Sequence, residues 1–227
     1  MTTAKERPIL FKGEMIRAIL NGSKTQTRRI VKLPSLQPWQ SGSKGWEFIE
    51  CNHSLEDCNN FIAGFSDGLG TIINVKCLYG TPADPIFGRP SDRLWVREAW
   101  AVQHEYDAAA PSEIGVSARW HYAATEDLGG LRKRPSIFLP RRGSRILLEI
   151  TAVRVERLNA ISEADARAEG IADGGCLNCG ESEPCGCADP QPDARGGFAW
   201  LWQSINGSGS WHANPWVWVV EFRKVQP

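Results

Sequence analysis

Gly22-Ser23-Lys24-Thr25-Gln26-Thr27-Arg28-Arg29 leaves a glycine turn and enters a run of threonine and arginine. Residues 25–31 are rich in β-branched side chains, which suit a pleated surface, so they read as a strand with a polar face. Just upstream, Met15, Ile16, Ile19 and Leu20 fall at helical spacing. Asn21-Gly22 supplies the left-handed stop that ends such a helix. Pro8-Ile9-Leu10-Phe11 reads as a short buried strand. The chain therefore starts β–α–β, with a cation-rich loop at the second junction.

Working outward, residues 92–100 resume as a strand, and 145–158, rich in Ile, Leu and Val, form the longest β candidate. Ser162 is placed to cap a short helix over 163–169, because its hydroxyl can accept from the first-turn N–H groups. Residues 198–205 look helical and end at Asn206-Gly207-Ser208-Gly209. Residues 216–223 make the closing strand, with Pro215 at its entry, where proline is tolerated. Three loop-rich insertions, 33–89, 103–143 and 173–195, separate these pieces, with short strands expected at 46–51, 71–77, 117–123 and 136–139. Several strands, few short helices and no βαβ alternation predict an α+β, mainly β fold, a small β-barrel with short flanking helices. All of 1–227 reads as one domain whose core spans about 8–32, 90–102, 144–172 and 196–224.

Lys and Arg, 26 in all, balance 26 Asp and Glu, so the chain as a whole is no polycation. The charge is nevertheless segregated. Residues 1–32 carry eight Lys/Arg against Glu6 and Glu14, residues 131–145 carry six with no acid, and 173–194 carry five acids with no base. If the two basic segments meet, they form a phosphate-attracting face. No apolar run approaches the ~18 residues of a membrane span, and the N-terminus lacks a secretory apolar stretch. A cytoplasmic protein with no membrane partner is expected.

Further motifs carry a resemblance. The octapeptide 22–29 is similar to the G-x-K-T-x-T-x-R signature of ASCH domains, a branch of the PUA-like superfamily. Asp92-Arg93-Leu94-Trp95-Val96-Arg97-Glu98 resembles the second strand of that family, and Ala168-Glu169-Gly170 the helix end after its long third strand. Asn214-Pro215-Trp216-Val217-Trp218-Val219-Val220-Glu221-Phe222 resembles the closing strand of phage and prophage members. The resemblance covers roughly half the chain and leaves out the three insertions. It implies a small barrel whose cleft binds RNA or a modified nucleoside. Active bacterial members are similar to amidohydrolases that deacetylate N4-acetylcytidine with a Lys, a Thr and a downstream Glu. The matching residues are Lys24, Thr27 and Glu169, and Thr25, Arg28, Arg29, Arg97 and Trp211 complete the expected ligand-contacting set.

Amide hydrolysis needs a nucleophile, a base and a donor for the leaving amine. Thr27 can supply the hydroxyl, and Glu169 can protonate the leaving nitrogen or hold a water. Lys24 can act as base only if burial or a neighbouring cation lowers its pKa well below about 10.4, and Arg28 and Arg29 are at hand for that. Alternation in a strand puts residues 24 and 27 on opposite faces, so Lys24 must lie in the loop or at a bulge to share a site with Thr27. Binding without turnover is the favoured expectation, with Lys24, Arg28 and Arg29 on phosphates and Thr27 on a base edge.

The chain has ten Trp, each able to stack a base. On 216–222, however, a Trp/Val/Phe face is more often core, which leaves Trp211, in a Ser-rich loop, as the ligand-contacting aromatic. Cys176, Cys179, Cys185 and Cys187 are spaced C-x2-C-x5-C-x-C, suited to a closed structural zinc site. Cys51, His53, Cys58 and Cys77 form a looser set. No H-x-E motif precedes the cysteines, which disfavours zinc-deaminase chemistry, and no organic cofactor is expected.

Overall fold

A computed structural model describes residues 4–32, 46–52, 60–69, 72–78, 88–115, 117–172, 176, 178–179, 185–190 and 193–226. Their elements run β1 (Glu6–Leu10), α1 (Gly13–Leu20), β2 (Gln26–Ile30), β3 (Glu47–Asn52), β4 (Asn60–Ser66), β5 (Ile72–Leu78), β6 (Arg93–Arg97) and β7 (Trp100–Ala101). Then come β8 (His121–Tyr122), β9 (Leu147–Arg157), α2 (Glu163–Ala168), α3 (Ala194–Asn206) and β10 (Trp216–Val225). The fold is α+β and mainly β. Among the described residues no helix is long and apolar enough to cross a membrane.

The central sheet has the order β1-β6-β9-β10-β2. β1 and β6 run parallel, and every other pairing in it is antiparallel. It is an open sheet whose two edges are β1 and β2, the strands on either side of α1 in the chain.

β10 explains why both faces of this sheet are buried. Its even residues Trp218, Val220 and Phe222 join Phe11, Ile16 and Ile19 in one core, with Trp216 packed against it. Its odd residues Val217 and Val219 join Phe198 and Trp202 of α3 and Ala166 of α2 in a second. A strand covered on both sides has apolar residues at successive positions, as 216–220 do. Trp216 and Trp218 are therefore core residues, as their alternation suggested.

Local signals translate directly at two helix ends. Ser162 Oγ accepts from Asp165 N at 3.0 Å, and the Asp165 carboxylate reaches back to Ser162 N, closing a capping box. Gly22 follows α1 with φ +85°, the left-handed turn that residue 22 was expected to make.

The insertions depart further from expectation. The first contains a three-stranded antiparallel meander, β3-β4-β5, so the expected strands at 46–51 and 71–77 flank a third at Asn60–Ser66. In the second, the strand expected at 117–123 shrinks to the two residues of β8, paired with β7. The strand expected at 136–139 is instead a 3-10 turn over Ser136–Phe138, closed by Phe138 N–H to Pro135 O at 3.1 Å. Pro135 and Pro140 bracket it too closely for a strand to propagate. Ile114, Ala118 and Leu139 of this insertion pack with Trp100 and Val102 just before it into a separate small core.

Candidate functional site

Lys24 stands just before β2, where its N–H bonds Ala18 O at 2.9 Å and its backbone makes an isolated bridge with Glu169. The loop placement that alternation demanded is thus met. Gly170 permits the close approach: its φ is +88°, and a Cβ there would lie 2.8 Å from Ala18 Cβ and 3.0 Å from Lys24 Cβ. Lys24 Nζ then donates to Glu169 Oε2 at 2.7 Å and to Glu169 O at 2.8 Å.

The other Glu169 oxygen, Oε1, accepts from Arg28 Nη1 at 3.2 Å. Arg28 also donates from Nε to Glu156 Oε1 at 3.0 Å and lies 3.5 Å from Asp165 Oδ2. Arg154 extends the set, with Nη2 3.2 Å from Asp165 Oδ1, Nε 3.2 Å from Glu156 Oε2, and Nη1 on the Glu221 carboxylate. Gln26 Nε2 donates to Asp165 O at 2.7 Å and to Oδ1 at 3.1 Å. Arg29 turns the other way, donating to Leu10 O at 2.9 Å, with its guanidinium 5.5 Å from the Phe11 ring centroid.

Burial shapes the acid–base character of this network. It pulls the Lys24 pKa below the ordinary lysine value; the Glu169 charge opposes that shift, and the Arg29 and Arg28 charges reinforce it. Burial pushes the Asp165 carboxyl up, but hydrogen bonds from Ser162 and Gln26 and the charges of Arg28 and Arg154 hold it below the usual range.

Beside the network lies a cavity of about 380 Å³ between β1, β2 and α3. Thr27, Arg28, Arg29 and Glu169 are among its polar lining residues. The α3 wall, Phe198, Leu201, Trp202 and Ile205, follows the i, i+3, i+4, i+7 spacing of one helix face. Thr27 is 3% exposed, and among the described residues its hydroxyl makes no hydrogen bond. Lys24 does not line the cavity and meets it through Glu169.

Three expected ligand contacts fall elsewhere. Arg97 stacks its guanidinium on Trp95 at 4.6 Å, Trp211 packs edge-on against Phe198 at 6.2 Å, and Thr25 is exposed, its backbone tied to Ala168 O and Phe222 N. None of them lines the cavity. Trp211 belongs to the α3 core because its loop folds back under that helix.

Among the described residues, arginines of the second basic segment are engaged by partners of their own, away from Lys24 and Arg28. Arg134 donates to Ala109 O at 2.9 Å and Tyr106 O at 2.5 Å, Arg142 to Ser112 O at 2.7 Å and Pro111 O at 2.9 Å, and Arg145 pairs with Glu98 at 2.9 Å. Sequence reading missed Arg154, Glu156, Asp165 and Trp202. Charges at alternate positions 154 and 156 of a β-rich run were the available sign of the first two, and helical spacing from Phe198 that of Trp202.

The sulfurs of Cys176, Cys179, Cys185 and Cys187 all lie within 4.8 Å of one another, with 3.9 Å between those of Cys176 and Cys187. Four thiolates about 2.3 Å from one ion sit roughly 3.8 Å apart in a tetrahedron, so this group can hold a metal ion. The C-x2-C turn is closed by Cys179 N–H to Cys176 O at 3.2 Å, and Asn178 Nδ2 bonds Asp189 O at 2.6 Å. Of the looser set, Cys51 and Cys77 fall on β3 and β5, the two strands flanking β4. His53 and Cys58 lie outside the described residues. Compared with known protein families, curated proteins and solved structures, the chain finds no match.

Proposed function

We propose that the chain is a PUA-like module of the ASCH type whose cavity receives a modified nucleoside, free or carried in RNA. The observation behind this reading is that Thr27 and Glu169 share the wall of a cavity of about 380 Å³, with Lys24 buried behind Glu169. That volume sits at the low end of ligand pockets, ~300–1,000 Å³. An apolar helix face and a few convergent polar groups suit a heterocycle.

Lys24 and Arg28 are paired with carboxylates already, and Arg29 donates to Leu10 O, so shape and hydrogen bonding favour a nucleoside over bare phosphate. Calorimetric titration with N4-acetylcytidine, against cytidine, tests this. Binding of the free nucleoside should change little with salt, whereas an RNA carrying it should bind with a salt slope that Arg29→Ala reduces. Absence of heat with both ligands rejects the reading.

A second reading, hydrolysis of the N4-acyl group, is favoured by one observation: Lys24 is buried and its pKa is lowered. In that reading the Thr27 hydroxyl adds to the acyl carbon and its proton passes to the Lys24–Glu169 pair. The C–N4 bond then breaks, N4 takes a proton from that pair, and water hydrolyses the acyl-threonine to release acetate. Thr27→Ala should abolish acetate release while leaving the fold intact; an active Thr27→Ala protein sinks the hydrolase.

For the four cysteines we favour structural zinc, which would order a loop lacking a core of its own. Their thiols suit a reducing, cytoplasmic setting. Metal analysis of purified protein and of Cys179→Ser should differ by one equivalent of zinc.

A further inference from the structure

A second cavity, also of about 380 Å³, lies within the insertion at 103–143, between the loop 107–111 and residues 132–138. Three cations line it, Arg132, Lys133 and Arg134, against one acid, Asp107. The Asp107 carboxylate is engaged by its own neighbour, with Oδ2 3.2 Å from His104 Nδ1. Arg132 and Arg134 donate to the carbonyls of Asp107, Tyr106 and Ala109, which satisfies hydrogen bonds without cancelling charge. Lys133 is exposed, and among the described residues it makes no hydrogen bond or ion pair. The lining therefore keeps a positive surplus, with Lys133 free to meet an anion.

The same lining holds an open ring. Phe138 is 57% exposed, whereas Leu139 beside it in the chain enters the small core at 1%. Free cationic charge and an accessible aromatic face around one cavity match the alternation of phosphate and base along a single strand. The volume, at the low end of ligand pockets, admits about one nucleotide unit with the strand continuing over the rim. The shape is also set beforehand. Pro135 and Pro140 bracket the turn that carries Phe138, and Arg134 and Arg142 hold the facing loop by its carbonyls. Little of the chain has to be ordered when a ligand arrives, which favours binding.

We propose that this cavity binds single-stranded nucleic acid, with a phosphate meeting Lys133 and Arg132 and a base stacking on Phe138. A duplex fits less well, because its bases are already stacked on one another. An acidic peptide answers the charge but leaves the Phe138 ring without a planar partner. The inference goes beyond the nucleoside reading and does not need it, since none of these residues lines the first cavity.

The test measures binding of a short fluorescein-labelled oligouridylate by anisotropy across a range of salt, with oligoglutamate as the anionic control. Lys133→Ala should lower the slope of log affinity against log salt by about 0.7, the share of one phosphate on a single strand. Phe138→Ala should weaken binding about tenfold, the effect of one stacked base. Both side chains are exposed, so neither change opens the core.

Oligouridylate that fails to bind at low salt overturns the proposal, and so does binding that both variants leave unchanged. Oligoglutamate bound as tightly, with Phe138→Ala without effect, also overturns it, because the cavity is then a plain anion site. The oligouridylate carries no N4-acetylcytidine, so failure of the nucleoside reading leaves this result standing, and failure here leaves that reading standing.

Discussion

Residues 24–29 and residues 131–145 are both dense in lysine and arginine, yet the first group meets carboxylates and the second mostly meets backbone carbonyls. Lys24 and Arg28 share Glu169, and Arg28 also takes Glu156 and Asp165. Arg134, Arg142 and Arg132 grip the carbonyls of residues 106–112. A carboxylate balances charge and can take up a proton, so the first group can lie buried beside a cavity and move protons. A carbonyl does neither, so the second group works as a set of staples that fix an insertion packed on Trp100 and Val102 in a small separate core.

The contrast predicts unequal costs. Glu169→Ala leaves Lys24 and Arg28 short of a buried partner, and should lower unfolding stability in urea by about 3–5 kcal/mol. Glu169→Gln, which keeps a hydrogen-bonding oxygen, should cost less. A loss below about 1 kcal/mol for Glu169→Ala breaks the comparison, for the two groups would then be equally superficial.

Arg134→Ala comes next, at about 2–3 kcal/mol, because it orphans carbonyls and uncovers Trp100. Its effect should stay local. Proteolysis should accelerate within 103–143 while affinity for N4-acetylcytidine holds. Weakened nucleoside binding in this variant would mean that the insertion and the cavity are coupled.

A smaller effect separates the groups by pH. Lys24 has its pKa lowered in the folded chain, so between that value and the ordinary 10.5 the unfolded chain binds more protons at this site. Stability from this group therefore rises with pH across that window. Urea midpoints measured upward from pH 7 should climb more in the native protein than in Lys24→Met. Equal slopes would mean that Lys24 is solvated like any surface lysine.

What the sequence made legible was local. The Ser162 cap, the Gly22 stop and the two faces of residues 216–222 each depend on neighbours a few positions away, and each stands where the pattern put it. The loop position of Lys24 followed from strand alternation together with the resemblance that puts Lys24 and Thr27 in one site. The acid partners were not legible, because Glu156 meets Arg28 across 128 residues and only the antiparallel packing of β10 between β9 and β2 brings them together. Residues 136–139 misled because Ile137, Phe138 and Leu139 have strand composition, whereas the prolines on either side decide the backbone. Trp211 misled for a related reason: a polar loop sequence does not reveal that the loop folds back beneath α3.

The least costly change probes the ion pair that ties the second insertion to the cavity's own edge strand. Arg141 Nε lies 2.6 Å from Glu6 Oε2 at the start of β1, and their side chains are 38% and 34% exposed. The Arg141 hydrogen bond holds Glu6 below the usual carboxylate range, so what this pair contributes is present at neutral pH and lost as pH falls through that lowered value. Water and salt screen a pair this open, and Glu6→Gln should cost no more than about 1 kcal/mol, less in high salt. Combined with Arg134→Ala, the two losses should add within about 0.5 kcal/mol if the insertion is held by its own carbonyl staples and not by its grip on β1. A larger coupling in that double-mutant cycle would mean that the insertion leans on β1, and through Leu10, which lines the cavity, on the site itself.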